Sequence, residues 1–149
     1  MALSVFRFLA IVFAALALAP GMAHLLELPN KIKLPGQEYL VVQQIYQGWS
    51  LLGVVVIAAL LSAAALAFFS RGHTRAFAWA LVGLVCLAGT QIVFWTWTFP
   101  VNRATENWTV LPTSWEALRA QWEYSHAASA VLNLGALAAL TVSALAPTR

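Results

Sequence analysis

Residues 115–133 read WEALRAQWEYSHAASAVLN and decide how the rest of the chain is interpreted. The stretch starts with charged and aromatic residues and runs without a break into an apolar segment, which is typical of a helix that starts at a membrane surface and enters the bilayer. Glu123 and His126 stand three residues apart and therefore share one face of that helix. A second pair of the same kind, His24 and Glu27, ends the first apolar segment of the chain.

The composition places the chain in a membrane. Hydrophobic residues make up 62% of its 149 residues and charged residues only 9%, which leaves too little polar surface to coat a soluble domain of this size. The lipid bilayer is therefore the first expected partner. A net charge of +3, spread along the chain, excludes a nucleic-acid-binding function.

Four apolar segments predict an all-α integral membrane protein. The expected spans cover residues 3–27, 40–69, 75–99 and 114–146, each at least as long as the roughly 20 residues that a helix needs to cross the hydrocarbon. Helices satisfy their own backbone hydrogen bonds in lipid, and alternating strands of a barrel are missing from the sequence. We expect one domain, residues 1–149, folded as an antiparallel four-helix bundle with a long loop between helices 3 and 4.

The positive charges next to the spans do not decide the orientation, because four lie on each side. One side has Arg7, Arg71, Arg75 and Arg149, and the other has Lys31, Lys33, Arg103 and Arg119. The short connection at residues 70–75 has the form of a compact cytoplasmic turn. We therefore expect a bacterial inner-membrane protein with both termini in the cytoplasm and the His/Glu site facing outward.

Aromatic and amide side chains collect at the same membrane face as the two His/Glu pairs. Because adjacent spans run antiparallel, the end of helix 1 and the start of helix 4 emerge together. An aromatic belt would normally occupy both faces, so this one-sided set favours a pocket for a flat molecule. The residues predicted to bind such a substrate are Trp95, Trp108, Trp115, Trp122, Gln91, Gln43, Gln47 and Tyr46.

The four residues of the His/Glu pairs allow three interpretations. His24, Glu27, Glu123 and His126 are suitable ligands for a divalent transition metal. The same residues, with Arg119 paired to Glu123, would form a structural network of ion pairs and hydrogen bonds at the end of the bundle. Two histidines on neighbouring helices would also be suitable as the axial ligands of a haem. That haem would be of the b type, because no covalent attachment motif is present.

The second half of the chain carries several short motifs: Phe99-Pro-Val-Asn102, Asn107-Trp108, Trp115 with Arg119, and Trp122-Glu-Tyr-Ser-His126. Together they resemble the membrane family of unknown function that includes anthrone oxygenase-like proteins. The resemblance covers helices 3 and 4 by these motifs and the first half by the four-span layout. It implies oxidation of polycyclic phenolic substrates, as in some members of that family, without a metal or flavin.

Two functions follow as hypotheses. In the first, an oxygenase or oxidase acts on an aromatic or quinol-like molecule: His126 is the general base, Glu123 or Glu27 orients it, and Asn102, Gln91 or Arg119 stabilises the developing anion. In the second, the chain is a non-catalytic membrane module that binds a metal, a haem or a lipid-like ligand. Alanine-rich helix faces would suit a homo-oligomer as well as packing within one chain.

Overall fold

The computed structural model describes residues 2–147, and within this range the chain is all-helical with no strand. Four helical segments are long and apolar enough to cross a membrane, which confirms the predicted class: Ala2–Lys31, Trp49–Ser70, Thr74–Ala104 and Trp115–Leu145. Arg149, which entered the charge count above, lies outside the described residues. The six α-helices are α1 (Ala2–Lys31), α2 (Gly36–Gln43), α3 (Leu52–Ser70), α4 (Thr74–Val93), α5 (Phe99–Ala104) and α6 (Trp115–Leu145).

Helix α1 continues beyond the predicted end at residue 27 and includes both Pro20 and Pro29. Each proline lacks a backbone N–H and so removes one hydrogen bond. The last turn nevertheless closes, because the Ile32 N–H donates to the Leu28 carbonyl at 3.0 Å. The extra turn carries Lys31 on the helix face that also carries His24 and Glu27.

The second apolar segment is divided into two parts, because Gly48 adopts φ 84° and interrupts the helix. Before the break lie the short helix α2 and a 3₁₀ turn, Gln44–Tyr46; after it lie a second 3₁₀ turn, Trp49–Leu51, and helix α3. The predicted span at residues 40–69 therefore corresponds to a shorter membrane helix and a separate helix α2. This separate helix brings Tyr39 and Gln43 into buried positions.

The third span continues through Pro100 to Ala104, past the predicted end at residue 99. A π-helical turn, Phe94–Thr98, precedes the proline, and the Phe99 N–H reaches back five residues to the Phe94 carbonyl. Such a wider turn locally changes the hydrogen-bond register, which lets the helix accommodate a residue without an N–H. The connection to α6 is thereby limited to residues 105–114.

Small residues form the centre of the membrane region. Helix α1 packs against α3 and α6, and α4 packs against the same two helices. Alanines and a few leucines fill the contacts, which lets the helix backbones approach closely. At Gly21 an added Cβ would lie 3.3 Å from the Ala130 Cα, and at Gly83 it would lie 2.6 Å from the Leu140 Cγ. The contact of α6 with α4 thus depends on Gly83, and its contact with α1 is tight at Gly21.

We expect Gly83→Ala to destabilise the protein by about 1–3 kcal/mol, because the new methyl group would overlap the Leu140 side chain and force it to move. Thermal unfolding in detergent, followed by circular dichroism, measures the effect. Gly53→Ala is the matched control, since Gly53 lies in α3 and an added Cβ there meets no atom within 4 Å. Equal loss of stability in the two variants would contradict the predicted close packing of α4 and α6.

Candidate functional site

Two histidines from different helices lie side by side at one end of the helices. The ring centroids of His24 in α1 and His126 in α6 are 4.3 Å apart, and His24 is only 4% exposed. Aromatic rings surround this pair: Trp122 lies 4.0 Å from His126, and Tyr46 and Trp49 lie 4.5 and 5.8 Å from His24. Both imidazoles therefore lie in a largely apolar, aromatic shell.

One hydrogen bond determines which nitrogen of His126 carries the proton. The Nδ1 atom lies 2.9 Å from the backbone carbonyl oxygen of Trp122, one turn earlier in the helix. A carbonyl oxygen only accepts, so Nδ1 must be the donor. In the neutral ring Nε2 is then unprotonated and can accept a proton. The Nδ1 atom of His24, by contrast, is buried without a partner among residues 2–147.

A buried lysine lies next to the histidine pair and organises the acids around it. Lys31 is 4% exposed, and its Nζ donates to the Tyr46 hydroxyl at 2.8 Å and lies 3.1 Å from Oε1 of Glu123. Glu27, whose Oε2 is 3.6 Å from the same ammonium, also accepts a hydrogen bond from the Tyr46 hydroxyl. Two carboxylates thus share one ammonium.

Tyr39 completes the surroundings of Glu123, which is fully buried. The Tyr39 hydroxyl donates to Glu123 Oε1 at 2.7 Å, so this oxygen accepts from both a phenol and an ammonium. Burial, followed by the nearby negative charge of Glu123, raises the pKa of Tyr39 well above its usual range, because the phenolate would be poorly solvated and repelled. Tyr39 is therefore a neutral hydrogen-bond donor throughout the physiological range.

Trp122 links this ion network to the histidine pair. The centroid of its indole ring lies 5.0 Å from Lys31 Nζ and 4.0 Å from the His126 ring, to which it is tilted by 40°. The indole N–H donates to Oδ1 of Asn102 at 2.8 Å, which fixes the orientation of the ring. Trp108, 2% exposed, packs edge-on against Tyr39 and closes the cluster from the loop side.

Arg119 does not pair with Glu123, contrary to the structural alternative considered from the sequence. Its guanidinium donates to the Leu34 carbonyl at 2.6 Å and lies over the rings of Trp115 and Tyr39, at 4.6 and 5.5 Å. The cation that neutralises Glu123 is Lys31 instead. Arg119 therefore ties α6 to the segment that joins α1 and α2.

The other predicted substrate-binding residues are dispersed. Trp95 is 60% exposed and packs against Phe94 and Phe99 on the outer surface, so the structure does not place it in the pocket. Gln91 donates to Thr90 and Gln47 to Gln44, both within their own segments. Only Gln43 is buried near the cluster, one helical turn after Tyr39, and neither of its amide atoms has a partner among residues 2–147.

The predicted metal and haem sites do not fit this geometry. Within the part of the chain that the structure describes, no group of three or more His, Cys, Asp or Glu residues is arranged to hold a metal ion. The Lys31 ammonium occupies the position between Glu27 and Glu123 that a cation would take. Imidazole rings with centroids 4.3 Å apart are already in contact, which leaves no space for a porphyrin between His24 and His126.

The sequence prediction left Lys31 and Tyr39 out of the site. The first predicted span ended at residue 27, which placed Lys31 outside the helix. The signal was present in the spacing, because Lys31 stands four residues after Glu27 and seven after His24, on one helix face. Tyr39 and Gln43 share a face of α2 in the same way, but the break at Gly48 that makes α2 a separate helix could not be located from hydropathy.

Comparisons with protein-family models, with curated proteins and with solved structures gave no match for this chain. The resemblance to anthrone oxygenase-like proteins therefore stays a prediction from the motifs.

We expect Lys31→Met to cost about 3 kcal/mol of unfolding free energy, because it leaves the fully buried Glu123 carboxylate without its cation. Adding Glu123→Gln removes the unpaired charge and should restore more than half of the loss. Denaturant unfolding in mixed micelles measures both effects, with exposed Lys33→Met as the control. A double variant no more stable than Lys31→Met alone would show that Lys31 and Glu123 are not energetically coupled.

Alkaline pH should destabilise the protein through Tyr39. The unfolded chain releases this phenolic proton near pH 10, whereas the folded state holds it to higher pH because its pKa is raised. Above about pH 10 the folded state then binds more protons than the unfolded state, so stability falls as the pH rises. Tyr39→Phe should have a flatter stability profile between about pH 9 and 11; an unchanged slope would argue against the raised pKa.

Proposed function

We propose that the protein is a membrane-embedded oxidoreductase that acts on an apolar aromatic or quinol-like molecule. The observation that carries this proposal is the free Nε2 of His126, set by the Nδ1 bond to Trp122, next to His24 inside an aromatic shell. A neutral imidazole in such surroundings is a suitable general base for a weakly acidic C–H or O–H. A flat aromatic substrate suits these surroundings because Trp122, Trp49 and Tyr46 all pack their rings against His24.

We place the site within a larger architecture that is also proposed. The four spans form an antiparallel bundle in a bacterial inner membrane, with both termini in the cytoplasm and the His pair near the outer surface. The contacts of α1 and α4 with the same two neighbours, α3 and α6, support the bundle. The compact turn at residues 70–73 supports a cytoplasmic position for that connection.

A groove on the lipid side offers the substrate a route to the histidines. It encloses about 590 Å³, within the range of small-molecule sites, and is lined by Leu16, Ala19, Pro20, Ala23, Gly48, Trp49, Leu51 and Leu52. Ala23 precedes His24 in the chain, and the Trp49 ring lies 5.8 Å from the His24 ring. In this proposal a lipophilic molecule dissolved in the bilayer enters the groove and approaches the His pair past Trp49, which lines the groove and contacts His24.

The proposed reaction uses molecular oxygen as the oxidant. Nε2 of His126 removes a proton from the activated methylene group of an anthrone-like substrate, and Nδ1 of His24 donates a hydrogen bond to the oxygen on which the negative charge develops. Oxygen then reacts with the carbanion. In total the methylene group and one O₂ give a carbonyl group and one water, so one oxygen atom enters the product and the other leaves as water.

This assignment changes the roles predicted for the neighbouring residues. Asn102 holds the Trp122 indole and Arg119 holds the Leu34 carbonyl, so both position the site instead of contacting the reacting atoms. Glu123 binds Lys31 and Tyr39 and does not orient His126. His24, which the sequence assigned to a metal, becomes the group that stabilises the anion.

The alternative is a non-catalytic membrane module that binds a lipid-like ligand, alone or as a homo-oligomer. One observation favours it: Lys31 lies within ion-pair distance of both nearby carboxylates, so the charged residues form a structural ion-pair network. In this case the His pair and the groove would hold a ligand without changing it. Measuring whether the protein oxidises a bound substrate distinguishes the two functions.

We expect protein in lipid nanodiscs to consume one O₂ per anthrone beyond the rate of a protein-free blank. His126→Ala should lower kcat/KM at least about 100-fold, because a general base contributes that much. Oxygen uptake and the absorbance of the quinone product provide two independent measurements. His73→Ala, in the turn between α3 and α4, is the control and should retain full activity.

Two results would contradict the proposed enzymatic activity. Equal rates for the wild type and His126→Ala would remove the proposed base. Wild-type protein that binds anthrone, as judged by tryptophan quenching, but consumes no oxygen would favour the binding module.

A further inference from the structure

A second cavity lies at the end of the third membrane span, in the connection towards α6. It encloses about 360 Å³ and is lined by Phe99, Asn102, Arg103, Glu106 and Asn107. It shares no lining residue with the lipid-side groove. Because the cavity lies at the last turn of this span, which ends at Ala104, and in the connection after it, we infer that it is at the level of the lipid headgroups.

The cavity presents one positive and one negative group that are not paired with each other. Arg103 and Glu106 are both exposed, and neither forms an ion pair with any other residue between 2 and 147. A cation and an anion that line one cavity without pairing with each other are complementary to a ligand that is itself zwitterionic.

The amide of Asn102 supplies a further donor. Its Oδ1 accepts the hydrogen bond from the Trp122 indole at 2.8 Å, which fixes the amide plane and leaves the NH₂ group as the donor for a ligand. The Asn107 N–H donates to the Asn102 backbone carbonyl at 2.7 Å and ties the two walls of the cavity together.

One wall of the cavity is built from strained backbone. Glu106, Asn107 and Trp108 adopt φ values of 47, 55 and 61°, a left-handed turn of three residues none of which is glycine. Side chains make this region unfavourable, and such strain persists where the surrounding structure enforces it, commonly at functional sites. Here the buried Trp108 ring and the Thr105 hydroxyl, which accepts the Trp108 N–H at 3.1 Å, hold the turn in place.

We propose that this cavity binds the phosphoethanolamine headgroup of a membrane phospholipid. Arg103 and the NH₂ group of Asn102 bind the phosphate oxygens, and Glu106 binds the primary ammonium. The acyl chains run along Phe99 and the lipid-exposed Trp95, whose rings are 4.9 Å apart. A choline headgroup has no N–H to donate to Glu106, and a glycerol headgroup has no cation, so both bind less well.

Lipid binding in this cavity does not require the proposed reaction, but the cavity contacts the candidate active site through Asn102 and Trp122. Asn102 lines the cavity and accepts the hydrogen bond from the Trp122 indole, and the Trp122 ring packs against His126. Bound lipid would therefore stabilise the orientation of the tryptophan against which His126 packs.

Native mass spectrometry of the full chain tests the proposal, with phosphatidylethanolamine, phosphatidylcholine and phosphatidylglycerol of identical acyl chains supplied in equal amounts. The wild type should retain the ethanolamine lipid preferentially. Glu106→Gln should lower that retention about tenfold, to the level of the choline lipid, because it removes a charge-assisted hydrogen bond. Arg103→Gln should weaken binding of all three lipids. Exposed Glu116→Gln and Arg75→Gln, which are distant in sequence from the cavity, are matched controls and should bind as the wild type does.

A soluble competitor distinguishes the lipid from its free headgroup. Glycerophosphoethanolamine should displace the lipid only at much higher concentration, since it lacks the chains that contact Phe99. Equally tight binding of the soluble compound would overturn the assignment to a lipid. Equal retention of the choline lipid by the wild type, preference for the glycerol lipid, or unchanged binding by Glu106→Gln would each overturn the headgroup assignment.

Discussion

The buried ion pair between Lys31 and Glu123 is the constraint on which this end of the molecule depends. An ammonium and a carboxylate removed from water are costly unless further hydrogen bonds satisfy them. Tyr39 and Tyr46 provide those bonds, one to the carboxylate and one from the ammonium. To bring these groups together, α1 must continue past Pro29, and α2 must fold back towards α6. The continuation of α1 past Pro29 and the position of the separate helix α2 therefore have a common cause, the burial of this ion pair.

The loop before α6 follows from the same requirement. Tyr39 donates to a buried acid and needs an apolar cover, which the edge of the Trp108 ring provides. Placing that ring requires a left-handed turn, which costs roughly 1–2 kcal/mol per non-glycine residue. Burial of a tryptophan is large enough to offset such a cost. The strained turn is thus stabilised by the cluster that it closes.

Hydropathy predicted the four membrane helices because a long apolar run has few alternatives in a lipid bilayer. Antiparallel tracing placed His24 and His126 at one membrane face, and the structure puts their rings 4.3 Å apart. The ion network could not be predicted, because a proline is normally the end of a helix and Lys31 lay beyond it. Trp95 was predicted to line the pocket but lies on the outer surface. It belongs to the π-helical turn Phe94–Thr98, which changes the direction of the side chains, and hydropathy does not encode such a turn.

The Trp122 side chain contacts the Lys31 ion network, the His pair and Asn102, and so connects these three parts of the region. Its ring contacts both Lys31 and His126, and its N–H donates to Asn102, which lines the cavity at the end of the third span. A tryptophan restrained at three points has little freedom to adjust, so a displacement of Asn102 must move the ring against His126. Because the His126 Nδ1 bond is made to the Trp122 carbonyl, the same residue also sets the protonated nitrogen. The orientation and the tautomer of the candidate base therefore both depend on Trp122.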